Sequence, residues 1–226
     1  MLEQVYRAGL LGAAVALAGV ILYAAWDKIF GDKPEDLAPV AGAGAGVRAG
    51  AGVEDDENVK QILVVGLDGA GKTSVLHNLS NNTVKRSDGP TMMFNCVCVK
   101  TEEAELEFLE IGGGESLRHF WSCHLPRSRA LVYVVDSADH SRMPLAKKEL
   151  HQLVQGDATI PVVVLANKQD LEGAWTISEI HEQLSLAELG DERKLFLIGT
   201  HVIEDGSQIP TSVQDAKELI AQLVMC

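Results

Sequence analysis

Gly66-Leu67-Asp68-Gly69-Ala70-Gly71-Lys72-Thr73 fits the pattern of a glycine-rich loop, closed by Lys-Thr, that wraps the phosphates of a nucleotide. Immediately before it, Gln61-Ile62-Leu63-Val64-Val65 is a short apolar run, as expected of a strand buried on both faces of a parallel sheet. Immediately after it, Val75, Leu76 and Leu79 recur at helical spacing. Strand, loop and helix in that order turn a pattern into a candidate site. Gly66 and Gly71 let the backbone approach anionic oxygens, and the loop N–H groups and the helix N-terminus supply positive potential. Lys72 is then expected at the β- and γ-phosphates and the Thr73 hydroxyl at Mg2+. A glycine-rich turn that merely ends in Lys-Thr is the competing reading.

Working outward, the chain has 226 residues, enough for one globular domain with appendages. Its formal net charge of -13 works against a nucleic-acid partner, which calls for clustered Lys and Arg. Cys96, Cys98, Cys123 and Cys226 lack the paired spacing of a zinc site, and Cys96 and Cys98 share one face of an expected strand. Reduced thiols in a reducing compartment are the expectation. Cys226, as the last residue, does not make a prenylation box.

Toward the N-terminus, residues 8 to 26 contain no charge and are about as long as a bilayer's hydrocarbon core requires. The expectation is one membrane-spanning helix, with Tyr23 and Trp26 at an interface and Gly12 and Ala16 offering a small-residue step for helix pairing. A cleaved signal peptide and a helix buried against a partner are the alternatives. A signal peptide would want a clearer basic start and a shorter apolar region, and a soluble helix would show a polar face. Lys28, Lys33 and Arg48 against Arg7 favour a cytosolic C-terminal side. Residues 1–27 are therefore read as the anchor with its flanks. Residues 28–58, with Ala-Gly repeats and the acidic run Glu54-Asp55-Asp56-Glu57, are read as a tether too poor in apolar surface to fold. Residues 59–226 are the domain.

Past the loop and its helix, residues 83 to 90 are polar and turn-rich, and Thr91 precedes an expected strand through Val97, Cys98 and Val99, where its hydroxyl would be a second ligand to Mg2+. The stretch from Ala104 to Glu110 alternates like a strand whose acidic side chains face solvent, ending at Gly112-Gly113-Gly114. There the Gly113 N–H would be free to meet a terminal phosphate. Residues 131–135 and 161–166 are two further buried strands, with helical spacing from Arg142 to Val154 between them. The second strand runs into Asn167-Lys168-Gln169-Asp170. A carboxylate at Asp170 accepts both N1–H and the exocyclic amine of guanine, a pair that adenine does not present. Asn167 would bridge base and backbone, and the Lys168 stem would lie along the ring. A last strand over 194–198 leads to Gly199-Thr200-His201, where a backbone N–H is expected against guanine O6, and residues 213–224 form a closing amphipathic helix. Alternating strands and helices give an α/β, doubly wound, mostly parallel sheet with its ligand at the strands' C-terminal ends.

Over about residues 59 to 226 the chain resembles the ADP-ribosylation-factor-like small GTPases, and most of all their divergent members that begin with a hydrophobic segment. The resemblance rests on residues 66–73, on Pro90-Thr91 with Phe94-Asn95, on Val135-Asp136-Ser137-Ala138-Asp139 and on residues 167–170. It implies a P-loop small-GTPase fold that binds GTP or GDP with Mg2+. The implied nucleotide contacts are Asp68, Gly69, Ala70, Gly71, Lys72, Thr73, Ser74, Gly113, Asn167, Lys168, Asp170, Thr200 and His201, with Thr73 and Thr91 on the metal. It also implies effector proteins that read the switch surface, an exchange factor and an activating protein.

Three departures qualify it. Gly114 stands where the family has the Gln that orients the attacking water, so no catalytic residue is assigned and hydrolysis is expected to be weak or absent. In the same segment Glu110 replaces Asp, which lengthens the arm toward the metal. Met93 stands where the family usually has Gly, and is expected to limit rearrangement of the hairpin between the switches. Leu2 replaces the Gly that would be myristoylated, so attachment through a span replaces a reversible anchor. A catalytically inactive scaffold on the same fold is the alternative. The endoplasmic reticulum and the mitochondrial outer membrane both suit a modestly hydrophobic anchor with few flanking charges.

Overall fold

The computed structural model describes residues 59–81, 91, 93–101, 104–190, 193–202 and 210–225. The expected span at 8–26, the tether at 28–58, the turn-rich stretch before Thr91 and Cys226 lie outside the described residues. No described helix is long and apolar enough to cross a membrane.

Six strands form one sheet in the order β2-β3-β1-β4-β5-β6. They are β1 (Val59–Val65), β2 (Phe94–Lys100), β3 (Glu105–Ile111), β4 (Ala130–Asp136), β5 (Val162–Asn167) and β6 (Leu195–Gly199). Every pairing is parallel except that of β2 with β3, which is antiparallel. Among the described residues the α-helices are α1 (Lys72–Asn81), α2 (Trp121–His124), α3 (Met143–Val154), α4 (Ile177–Gln183) and α5 (Thr211–Met225).

Helices on both faces explain why the central strands read as continuous apolar runs. Ile62 to Val65, residues 130 to 135 and all of β5 are buried. One core joins Leu63, Val65, Tyr133 and Val164 to Leu150 of α3 and Ile180 of α4. On the other face Ile62, Val64, Phe108 and Val132 pack with Leu76 of α1 and Ile220 of α5. Trp121 and Tyr133 tie the first core together. The Trp121 indole donates to the Gly112 carbonyl at 3.2 Å, and the Tyr133 hydroxyl donates to the Ala146 carbonyl at 2.9 Å, so both polar tips are satisfied while their rings are buried. α4 starts on a reciprocal cap, Thr176 with Glu179.

At the sheet's open edge β2 has one neighbour, and its alternate residues Cys96 and Cys98 are exposed on one face, as the sequence indicated. Their partial burial and the Glu107 carboxylate beside them keep both thiols protonated, with Cys96 pushed up to about 12.

Candidate functional site

The loop between β1 and α1 turns through three glycines at positive φ, Gly66 (148°), Gly69 (76°) and Gly71 (91°). A side chain at Gly66 would strike the Val134 carbonyl oxygen at 2.1 Å, and one at Gly71 would meet Asn167 Nδ2 at 2.4 Å. Glycine at these two positions is thus required twice over, by backbone angle and by close approach.

Lys72 opens α1 and is 5% exposed. Its Nζ donates to the carbonyls of Gly66 and Leu67, each at 3.0 Å, so the ammonium lies across the mouth of the loop. Burial lowers its pKa to about 8, against the opposing pull of Glu110 and Asp68. At low pH the ammonium is charged in both states and its burial opposes folding; as pH rises from about 8 toward 10.5, only the unfolded chain keeps the proton. Stability of the nucleotide-free protein should therefore increase by about 2 kcal/mol between about pH 7 and about pH 9.5, relative to Lys72→Met. Paired urea titrations at the two pH values measure it, and parallel slopes for the two proteins would exclude it.

Below the loop, Glu110 corrects the sequence reading. Counted there among the solvent-facing acids of β3, it is 0% exposed and sits with Leu106 and Phe108 on the inward face. Its Oε1 accepts from Thr73 Oγ1 at 2.6 Å and from Thr91 Oγ1 at 3.1 Å, and its Oε2 accepts from Asn95 Nδ2 at 3.1 Å. The two hydroxyls are 3.0 Å apart. Two hydroxyl oxygens and one carboxylate, gathered from α1, from the residues ahead of β2 and from β3, are the hard oxygen set that suits Mg2+ with water completing its shell. These residues therefore fit the ion that the resemblance implies.

Gly112 and Gly113 bring the end of β3 against the phosphate loop. A side chain at Gly113 would meet Asp68 N, Gly66 O and Leu67 C, each at 2.3 Å. Gly114, next along, has open space around it, with nothing within 4 Å of an added Cβ. Two arginines that the sequence reading did not single out lock this corner. Arg118 donates from Nε to the Gly113 carbonyl at 3.0 Å and faces Asp68 and Glu149, while Arg142 pairs with Asp68 and Asp139. Just past Gly114, Glu115 and His119 are both exposed, and the His119 ring packs on Phe120.

From the far side comes the loop after β5. The Asn167 Nδ2 donates to the Ala70 carbonyl at 2.9 Å, and Asn167 Oδ1 accepts from Thr200 Oγ1 at 3.2 Å. Lys168 adopts a left-handed φ of 65° and extends to Asp136, 2.6 Å away, and Gln169 Nε2 reaches Ser137 Oγ and the Trp175 carbonyl. Asp170 is exposed beside them and takes no part in this scaffold, and Ser74 stays with Lys72 and Thr73 in the first turn of α1. Within Gly199-Thr200-His201 the Thr200 backbone N–H donates to the Ala166 carbonyl at 2.9 Å and extends the β5–β6 pairing. The structure thus gathers the glycine loop, both threonines, Gly113 and the Asn167–Asp170 loop at the C-terminal ends of β1, β3, β4 and β5, where a doubly wound sheet binds its ligands.

This sheet order, with a phosphate-type loop after the first strand, defines a small-GTPase fold. The ADP-ribosylation factor family profile matches residues 51–216, and the chain belongs to that family. It is 56% identical over 168 residues to ADP-ribosylation factor-like protein 9 of Homo sapiens, covering 74% of this chain and 90% of that protein. It is 34% identical over 212 residues to ADP-ribosylation factor-like protein 10 of Mus musculus, covering 87% of each. In three dimensions it is similar to the Arl6 BBS3 small GTPase from Trypanosoma brucei with bound nucleotide analogue GppNp. That likeness has a TM-score of 0.65 and 22% identity over 74% of this chain and 98% of the other.

Proposed function

We propose that this protein is a membrane-tethered guanine-nucleotide switch that holds GTP or GDP with Mg2+ and hydrolyses GTP weakly or not at all. The observation that carries the reading is the 2.9 Å bond from Asn167 to the Ala70 carbonyl, which joins the base-reading loop to the phosphate loop across 97 residues. A single nucleotide spans those two loops. Membership in the ADP-ribosylation factor family, together with a fold like that of a small GTPase whose structure holds bound GppNp, supports the same reading.

In this reading the N–H groups of residues 69–73 cradle the phosphates and the Lys72 ammonium leaves the loop carbonyls to meet them. Thr73, Thr91 and Glu110 hold the ion, which when bound supplies charge neutralisation on the phosphate oxygens. A γ-phosphate drawn to the Gly113 N–H orders the segments around Thr91 and Gly113, and effectors read the result. Met93 and Phe94 are 63% and 42% exposed beside those segments, an apolar surface for a partner. An exchange factor and an activating protein would act on the same face. The test is nucleotide binding by the full-length protein: GTP and GDP should bind in strong preference to ATP, and equal affinities would end the guanine reading.

Gly114 favours a second reading, a docking scaffold that holds nucleotide without turning it over, because no side chain there can orient water.

The anchor rests on residues 8–26. With the domain on the cytosolic side, at the endoplasmic reticulum or mitochondrial outer membrane, intact protein should stay with membranes through alkaline carbonate extraction. Recovery in the supernatant would contradict a span.

A further inference from the structure

Away from the nucleotide loops, one row across three strands places unlike donors side by side. Antiparallel pairing sets Cys98 of β2 opposite Glu107 of β3, and parallel pairing sets Glu107 opposite Gln61 of β1. Cys96, two residues before Cys98 on the same face, has its Sγ 3.3 Å from Glu107 Oε1. Both sulfurs and a carboxylate oxygen lie within 4.8 Å of one another. Both cysteines are exposed, so an ion reaches them from solvent.

The spacing suits a tetrahedral ion. Bonds of about 2.0 to 2.3 Å hold neighbouring ligand atoms about 3.3 to 3.8 Å apart, within reach of small side-chain rotations from the observed positions. The carboxylate is already aimed, because Glu107 Oε2 accepts from Gln61 Nε2 at 3.0 Å, the kind of outer support that orients a metal ligand. Glu105, on the same face of β3 as Glu107, also lies beside Cys98 of β2. Sulfur donors also separate this cluster from the oxygen set around Thr73, since thiolates select soft or borderline cations and hydroxyls with carboxylate select Mg2+.

We infer that Cys96, Cys98 and Glu107 form a binding site for a thiophilic divalent cation, with Zn2+ the best fit and water or Glu105 completing the shell. Each thiol gives its proton to the buffer as its sulfur binds. The ion then links the edge strand β2 to β3 through side chains, in addition to their backbone ladder. Spacing between cysteines did not signal the site because the third ligand comes from the neighbouring strand.

The experiment uses the full-length protein stripped with a chelator, kept in excess GDP and Mg2+ so that oxygen ligands are occupied, and titrated with Zn2+ alone and then with Cd2+ alone. One ion per chain is expected, with thiolate-to-metal absorption in the near ultraviolet for Cd2+. The double variant Cys96→Ser with Cys98→Ser should lose that absorption and bind Zn2+ more than about 100-fold more weakly, beyond the roughly 10- to 100-fold range that outer-shell changes produce. Gln61→Leu should weaken Zn2+ about 10-fold while keeping the absorption. Cys123→Ser, on α2, should leave both unchanged. Equal Zn2+ affinity in wild type and the double variant, or no thiolate absorption in the wild type, would overturn the site. The exposed positions of Cys96 and Cys98 make the serine variants safe for folding, and unchanged GDP binding in the same samples verifies it.

Discussion

Asp170→Ala is expected to remove the preference for guanine over adenine nucleotides by about a thousandfold, or about 4 kcal/mol. The figure comes from two hydrogen bonds to one carboxylate, each worth about 1.5 to 3 kcal/mol when the acceptor is charged. Adenine offers no donor pair in that place, so the loss falls on GDP and GTP and leaves the weak ATP affinity where it was. The loop itself should survive the change. Its shape is fixed by Asn167 on Ala70, Lys168 on Asp136 and Gln169 on Ser137, and Asp170 contributes to none of these. Asp170→Asn keeps the size but exchanges one acceptor for a donor, and should lose discrimination as well. Competition of GDP and ADP for the full-length protein and both variants is the measurement. Discrimination that survives both substitutions would mean that the exposed carboxylate does not read the base.

What the sequence disclosed, and what it withheld, divides by whether a residue's partner is near it along the chain. The strands β1, β4 and β5 were legible because burial on both faces writes an unbroken apolar run into each. The loop at 66–73 and the tetrapeptide at 167–170 were legible because each packs several interacting groups into adjacent positions. Glu110 was misread for a different reason. Strict alternation along β3 puts it with Leu106 and Phe108 rather than with Glu105 and Glu107, but a buried carboxylate looks improbable until Thr73, Thr91 and Asn95 are seen around it. Arg142 reaches Asp68 across 74 residues, and Arg118 has no local signal of its role at Gly113. The short helix α4 was missed although its signal was present, a Thr176 followed three residues later by Glu179. The thiol and carboxylate cluster depended on strand pairing, which the alternation of β2 and β3 suggests but whose register only the fold fixes.

Gly114→Gln should raise the single-turnover rate of GTP hydrolysis by about 100-fold, which is about 2.7 kcal/mol off the barrier. Phosphoryl transfer leaves the protein little to do beyond positioning and charge stabilisation, so a missing amide that would orient water removes a large share of the available catalysis. The site has room for it. An added Cβ at Gly114 meets nothing within 4 Å, and Gly114 does not have the positive φ that would strain a side chain. Its neighbour Gly113 backs onto the loop at Gly66, Leu67 and Asp68, so a glutamine at 114 would stand beside the loop proposed to hold the phosphates. Binding of GTP and GDP should be nearly unchanged, because the amide acts on the water and not on the nucleotide. Glu110 supplies the control. If the longer arm at the metal also limits the rate, Glu110→Asp combined with Gly114→Gln should exceed either change alone. Should both variants bind GTP tightly and still fail to cleave it, water orientation is not the missing element, and the domain works as a nucleotide-held docking module.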